Sequence, residues 1–169
     1  MEIIINTAIE NEIKKVLNQV TDEGGRGKLK STTDWTYRIK ELLGNLGENL
    51  NLEVCTSGFS GKFEPEWLYD LVWYLEKQDR LKKVPLVMES EWSSTLPGVK
   101  YDFEKLLVAN AELRLMICQA RPEQMHEFKE YFTDAIKKYE QLNKGDKFLV
   151  AIFEDYGSER FEFLSIVKE

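Results

Sequence analysis

Apolar residues recur at helical spacing in four segments of the chain, which predicts four helices. These segments are residues 6–20, 33–47, 101–112 and 122–142. In the second segment, Thr33 or Asp34 is the expected N-cap and Gly47 is the expected C-terminal stop.

Six shorter segments have the nearly continuous apolar character of buried strands. They are residues 51–57, 66–75, 83–92, 113–119, 146–155 and 160–168. Because strands that are apolar on both sides need cover on both faces, the sequence predicts an α/β fold with helices on both faces of a central sheet. The predicted order of elements is α-α-β-β-β-α-β-α-β-β, in a single domain that spans residues 1–169.

The composition is that of an ordinary globular chain, with 169 residues, 43% of them hydrophobic, and a net charge of −7. No apolar run is long enough to cross a membrane, and the N-terminal residues lack the features of a signal peptide. We therefore expect a cytoplasmic protein without membrane contact. Because the net charge is negative, any binding of nucleic acid has to use a local positive patch.

The cysteines and the histidine narrow the possible chemistry. Cys55 and Cys118 each lie in an apolar run, so they are expected to be buried, reduced thiols. The single histidine, His126, disfavours a histidine-rich zinc site and a Ser-His or Cys-His nucleophile, and we expect it at the surface.

Three carboxylates interrupt segments that are otherwise apolar. Asp70 lies within WLYDLVWY, and Glu89 and Glu91 lie within VPLVMESEW. Since side chains alternate along a strand, Glu89 and Glu91 point to one face, where Asp70 joins them if the two strands form a hairpin. Burying unpaired carboxylates is costly, and a divalent cation held by their oxygens would remove that cost. The alternative is a solvated sheet face, or neutralisation of the acids by nearby Lys and Arg.

The order of elements over residues 33–120, together with these acids, resembles the αβββαβ core of the PD-(D/E)XK, or restriction-endonuclease-like, nuclease superfamily. The resemblance implies a mixed central sheet, with an extra N-terminal helix and basic loop over residues 1–32. It leaves residues 121–169 as an additional helix and C-terminal hairpin. These last strands either extend the sheet or form the edge of a homodimer.

The same resemblance implies a set of site residues. Asp70 and Glu89 match the metal ligands of that family, and the backbone carbonyl of Ser90 matches a third ligand. Glu91 stands at the position of the motif's lysine, a variant that the family also shows, and Tyr69 replaces the motif's proline. A lysine from the following helix can substitute for the motif's lysine. Lys105 is the first candidate and Lys100 the weaker one, with a solvated surface lysine as the alternative for Lys105.

The resemblance implies hydrolysis of phosphodiester bonds, with DNA as the expected substrate and Mg²⁺ or Mn²⁺ as the cofactor. Asp70 and Glu89 would hold the ion, and Glu91 or Lys105 would orient or deprotonate the attacking water. The alternative is a catalytically degenerate form of the same fold that acts as a protein-binding module.

Two further sequence features bear on nucleic acid. Residues 22–31 are expected to form a mobile basic loop, in which Arg26, Lys28 and Lys30 could contact phosphates, although a merely solvated loop is the alternative. The tryptophans could stack on bases, but their positions in the strands and helical stripes favour the core. They are Trp35, Trp67, Trp73 and Trp92.

Overall fold

The computed structural model describes the backbone of residues 2–169 and the side chains of residues 8–169. Met1 and the side chains of residues 2–7, which begin the segment without signal-peptide features, lie outside the described residues. Four α-helices lie in this part of the chain: α1 (Glu2–Gly25), α2 (Thr32–Asn49), α3 (Leu96–Leu107) and α4 (Met125–Lys138). The strands are β1 (Glu53–Thr56), β2 (Leu71–Glu76), β3 (Leu81–Glu91), β4 (Leu113–Ala120), β5 (Lys147–Glu154) and β6 (Phe161–Val167).

The strands form one mixed sheet in the order β1-β2-β3-β4-β5-β6. Neighbours pair antiparallel from β1 to β3 and again between β5 and β6, whereas β3, β4 and β5 are parallel. The parallel pairs are joined through α3 and α4, as parallel strands require a crossover connection. The predicted α/β class is confirmed, and so is the mixed sheet.

Helices cover both faces of the sheet, as the apolar strands predicted. On one face, residues of α1 and α2 such as Leu17 and Leu43 pack in one buried cluster with Trp73 of β2. On the other face, Phe103 of α3 and Phe132 of α4 pack in a second cluster with residues of β2 to β5. The sheet is therefore the middle layer of three.

The helix bounds differ from the predicted ones where glycine and proline were taken as breaks. Helix α1 continues through Gly24 and Gly25 into the predicted basic loop, which is reduced to residues 26–31. A Cβ atom at Gly24 would lie 2.2 Å from Trp35, so glycine here permits close packing of α2. Helix α3 begins at Leu96 instead of residue 101, because Pro97 suits the first turn of a helix.

The N-cap of α2 is Ser31, and not Thr33 or Asp34 as predicted. The Ser31 hydroxyl accepts a hydrogen bond from the Asp34 backbone N–H, and the Asp34 carboxylate accepts one from the Ser31 backbone N–H. This reciprocal capping box fixes the point at which the basic loop ends.

The expectations for the aromatic and sulfur side chains are met with one exception. Trp73 is fully buried, and its indole N–H donates to the Leu43 carbonyl. Trp67, however, is 52% exposed, so its assignment to the core is wrong. Both cysteines are buried and free, and His126 is exposed. None of the described helices is long and apolar enough to span a membrane.

Gly47 does not end α2 as predicted. Because it has no side chain, it allows α2 to pack closely against β1 and β2 of the sheet. A Cβ atom at this position would lie 2.6 Å from the Trp73 indole nitrogen and 2.9 Å from Val54. Because Trp73 is fully buried and held by its own hydrogen bond, it cannot move aside without disturbing the core.

We therefore expect Gly47→Ala to destabilise the protein. Overpacking costs about 1–3 kcal/mol, which outweighs the gain of about 1 kcal/mol from replacing a helical glycine. Gly25→Ala is the matched control, because nothing lies within 4 Å of a Cβ atom there. Urea unfolding should separate the two variants, and equal midpoints would contradict this account of Gly47.

Candidate functional site

The pairing of β2 with β3 places Asp70 beside Glu89. Leu71 pairs with Met88, so Asp70, the residue before β2, lies opposite Glu89. The register is not that of a regular hairpin. If the pairing of Glu76 with Leu81 continued without interruption, Asp70 would lie opposite Val87, but two register shifts along the hairpin move it by two positions. Bulges of this kind re-aim side chains at functional sites.

Glu89 is a buried carboxylate on the face of the sheet that α3 and α4 cover. It is only 2% exposed, and the Lys105 ammonium of α3 lies 2.6 Å from its Oε1 atom. This contact is a close ion pair, and Oε1 makes no hydrogen bond to any other described group. Burial raises the pKa of Glu89 to about 7, since the nearby Lys105 only partly offsets it and Asp70 raises it further.

The Asp70 carboxylate is held at the end of the strand pair. Its Oδ2 atom accepts hydrogen bonds from the backbone N–H and from the hydroxyl of Ser90, both at 2.8 Å. Its Oδ1 atom lies 3.7 Å from the Lys40 ammonium of α2. The sequence predicted Asp70 within a strand, but it lies one residue before β2. Its hydrogen bonds come from Ser90, the residue whose backbone carbonyl was the third candidate ligand.

Lys40 is the site residue that the sequence reasoning missed. It is 6% exposed, and its ammonium lies 3.0 Å from the Ser57 hydroxyl and 3.5 Å from Glu66, in addition to its contact with Asp70. One signal was present in the sequence. Lys40 precedes Leu43 by three residues, so it lies on the buried side of α2 next to an apolar position.

The two candidate lysines of α3 have different surroundings. Lys105 contacts Asp102 at 3.1 Å as well as Glu89, and these two carboxylates raise its pKa although burial alone would lower it. Lys100 instead lies over the ring of Tyr131, at 4.9 Å from its centroid. Lys105 is therefore the lysine that the structure brings to Glu89.

Glu91 is the last residue of β3, two positions after Glu89. Its Oε1 atom accepts a hydrogen bond of 2.6 Å from the Ser93 backbone N–H, so the carboxylate stabilises the turn towards α3. No ion pair joins Glu91 to a described cation within 4.0 Å.

The basic loop lies at the edge of the sheet where β3 ends. Arg26, Lys28 and Lys30 are exposed. Lys30 lines a pocket of about 320 Å³ together with Trp92, the residue after Glu91. By contrast, the basic residues near the β2–β3 turn, such as Lys77 and Arg80, lie at the opposite end of these strands.

The donor set at this edge suits a hard cation. Asp70 and Glu89 offer carboxylate oxygens from facing positions before β2 and on β3, and that of Glu89 is buried. Oxygen donors of this kind are the ligands of Mg²⁺ and Mn²⁺. Among the described side chains there is no group of three or more His, Cys, Asp or Glu residues that could hold a metal. A cation here would therefore be bound by two carboxylates, completed by backbone and water oxygens.

Comparison of the chain with protein-family models, with curated proteins and with solved structures found no match in any of the three.

The pH dependence of stability should report the burial of Glu89 in protein treated with a chelator. Its pKa of about 7 in the folded state lies above the ordinary value of 4.5, so between these pH values the folded state binds more protons than the unfolded state. The free energy of unfolding should therefore fall as the pH rises through this range, by on the order of 3 kcal/mol from this group.

The variant Glu89→Gln should lack this fall, whereas Glu104→Gln, which changes an exposed acid of α3, should keep it. Urea unfolding at intervals from pH 4.5 to 8 measures the difference. An unchanged slope in Glu89→Gln would show that this carboxyl group does not titrate as its surroundings indicate.

Proposed function

We propose that this protein is a metal-dependent phosphodiesterase with a restriction-endonuclease-like core, and that DNA is its substrate. The order α2-β1-β2-β3-α3-β4 supports the proposal, because it has the αβββαβ arrangement with the acids at the start of β2 and the end of β3. The antiparallel pairing of β1 to β3, followed by the parallel pairing of β3 with β4, is consistent with such a core.

The observation that carries the proposal is the state of the Glu89 carboxylate. It is buried opposite Asp70, and its charged partner among the described residues is the Lys105 ammonium, 2.6 Å from Oε1. A carboxyl group that is buried beside a second acid is costly to ionise, and functional sites are where proteins retain groups with such perturbed pKa values. Asp70, Glu89 and Lys105 also supply the acid, acid and lysine that a nuclease of this class requires.

Each side chain has a defined role in the proposed reaction. Asp70 and Glu89 bind the cation, and the hydrogen bonds from Ser90 hold Asp70 in place for this task. A divalent cation bound here would lower the pKa of water and stabilise the negative charge that develops at phosphorus. Lys105 lies within reach of the same centre, where its ammonium can orient the attacking water and stabilise the phosphate oxygens.

The proposed cation is Mg²⁺ or Mn²⁺, because both prefer oxygen ligands. DNA would approach along the edge at which β3 ends, with the basic loop of Arg26, Lys28 and Lys30 on its backbone. These exposed cations supply a local positive charge that the net charge of −7 does not provide.

A protein-binding module with a degenerate site is the second candidate function. The observation that favours it is that lysines already neutralise both acids: Lys40 lies near Asp70, and Lys105 contacts Glu89. Because the lysines compensate the acids, the fold is stable without a bound cation. A binding module with no catalytic role would need no cation either.

Ion binding should stabilise the wild-type protein if the enzyme proposal is correct. A ligand that binds only the folded state adds about 2.7 kcal/mol to the free energy of unfolding at a hundredfold excess over its Kd. We expect this gain with Mg²⁺ or Mn²⁺, and we expect Asp70→Asn and Glu89→Gln to abolish both the gain and ion-dependent cleavage of DNA. Thermal unfolding with and without the ion, and gel assays of cleavage, measure these effects.

Glu104→Gln serves as the control, because it removes one exposed acid from α3 without touching the site. A gain in stability that survives both site variants would place the ion elsewhere. Absence of any gain and of any cleavage by the wild-type protein would leave the binding module.

A comparison of two variants can decide whether Lys105 or Glu91 acts on the attacking water. The structure favours Lys105, since the Glu91 carboxylate is engaged with the Ser93 N–H. We expect Lys105→Met to retain ion binding and to lower the cleavage rate by about 10²–10³-fold, the usual range for loss of a positioned donor that stabilises developing negative charge. Glu91→Gln should lose less than tenfold, and the reverse order of the two losses would assign the role to Glu91.

A further inference from the structure

A pocket of about 570 Å³ lies next to the candidate site, on the side of the sheet that α3 covers. Its floor is formed by valines of β2 and β3, among them Val72 and Val87, which belong to the buried cluster of this face. Its walls come from three segments: residues 67–69 before β2, residues 81–84 of β3, and residues 110–112 before β4.

Several large apolar side chains on the rim of this pocket are exposed to water, although side chains of this kind are usually buried. Trp67 is 52% exposed, Leu68 is 63% exposed and Leu81 is 50% exposed, and all three line the pocket. Contiguous exposed apolar surface of this kind marks a binding site more often than scattered single residues do.

The rim is also positively charged. Lys82, Lys83 and Glu112 line the pocket, and Lys83 contacts Glu112 at 3.2 Å, which leaves the charge of Lys82. Among the residues whose side chains are described, no carboxylate lies within 4.0 Å of the Lys82 ammonium. The Lys82 ammonium, unpaired among the described residues and on the same rim as exposed aromatic surface, is complementary to a ligand that combines anionic groups with flat apolar rings.

One end of the pocket, at Tyr69 and Val87, adjoins the candidate catalytic centre, whereas residues 81–84 lie towards the β2–β3 turn. Tyr69 lines the pocket, and the next residue along the chain is Asp70. Val87, in the floor, lies two residues before Glu89 on the same face of β3. A polymer whose phosphate lies at Asp70 and Glu89 can therefore place a neighbouring unit in the pocket.

We infer that this pocket binds an unpaired segment of the nucleic acid on which the proposed phosphodiesterase acts, with a base stacked on Trp67 and a phosphate near Lys82. The inference rests on the proposed function, and it specifies the substrate class as single-stranded, or locally unpaired, nucleic acid. A base can stack on a protein aromatic ring only when it is not enclosed in a duplex, and exposed aromatic side chains with flanking cations are the usual means of binding single strands.

Binding of an oligonucleotide in the presence of a chelator tests this inference separately from catalysis. The probe is a fluorescein-labelled single strand of about 12 thymidines, within the length that such sites cover, and the comparison is a duplex of the same length. We expect the wild-type protein to bind the single strand more tightly than the duplex. Trp67→Ala should weaken binding of the single strand on the order of tenfold, as expected for loss of one stacked base.

Two conservative variants show whether stacking and charge are responsible. Trp67→Phe should keep the affinity within about twofold, because it keeps a ring for stacking, but it should lose the quenching of tryptophan fluorescence by unlabelled oligonucleotide. Lys82→Gln should reduce the slope of log K against log salt by about 0.7, the value for one phosphate contact to a single strand.

Tyr156→Ala and Lys15→Gln are the matched controls. Tyr156 is 80% exposed in the turn between β5 and β6, and Lys15 is exposed on α1, on the opposite face of the sheet. Neither should change the affinity. Equal binding of duplex and single strand, no binding by the wild-type protein, or unchanged affinity in Trp67→Ala would each overturn the inference.

The two proposals fail in different ways. Ion-dependent cleavage together with binding that does not depend on Trp67 would leave the phosphodiesterase and refute the pocket. Single-strand binding that depends on Trp67, without cleavage in Mg²⁺ or Mn²⁺, would keep the pocket and refute the enzyme.

Discussion

Burial of the Glu89 carboxylate is the constraint on which the structure at the end of β3 depends. A carboxyl group that is 2% exposed needs compensation from nearby charge when it ionises, because the protein interior solvates the charge poorly. The compensation comes from Lys105 on α3, the helix that connects β3 to β4. The contact therefore ties the crossover helix to the strand it covers, at a point where the apolar packing of Val87 and Phe103 gives way to charge.

The second carboxylate joins this arrangement from the opposite helix layer. Asp70 receives two hydrogen bonds from Ser90 and lies near Lys40, which belongs to α2. Acids and lysines from two strands and both layers thus meet at one edge of the sheet. Such compensation lets the chain keep two acids close together without a cation. The same property makes the site compatible with either an enzyme or a binding module.

The strand pattern was sufficient to predict the layers and the face of Glu89, because alternation along a buried strand is a local property. It did not fix the register that brings Asp70 opposite Glu89, which was predicted only on the condition that the two strands form a hairpin. The turn at Gln78 and Asp79, both with positive φ, begins a tight hairpin whose regular register would place Asp70 two positions away. The two shifts that change this register lie between Trp73 and Glu76, away from the turn residues. The contact of Lys40 is also non-local, since Ser57 and Asp70 reach it from distant parts of the chain.

The segment before β2 combines two demands that usually conflict. Its chain must be ordered enough to hold Asp70 against Ser90, yet it leaves Trp67 and Leu68 largely in water. Tyr69 resolves the conflict, because it packs against the core of the α3 face between the exposed pair and the acid. Because Tyr69 is packed against the core, it limits the separation between Trp67, on the rim, and Asp70, three residues further along the chain. A ligand bound in the proposed pocket would therefore lie at a set distance from the acids.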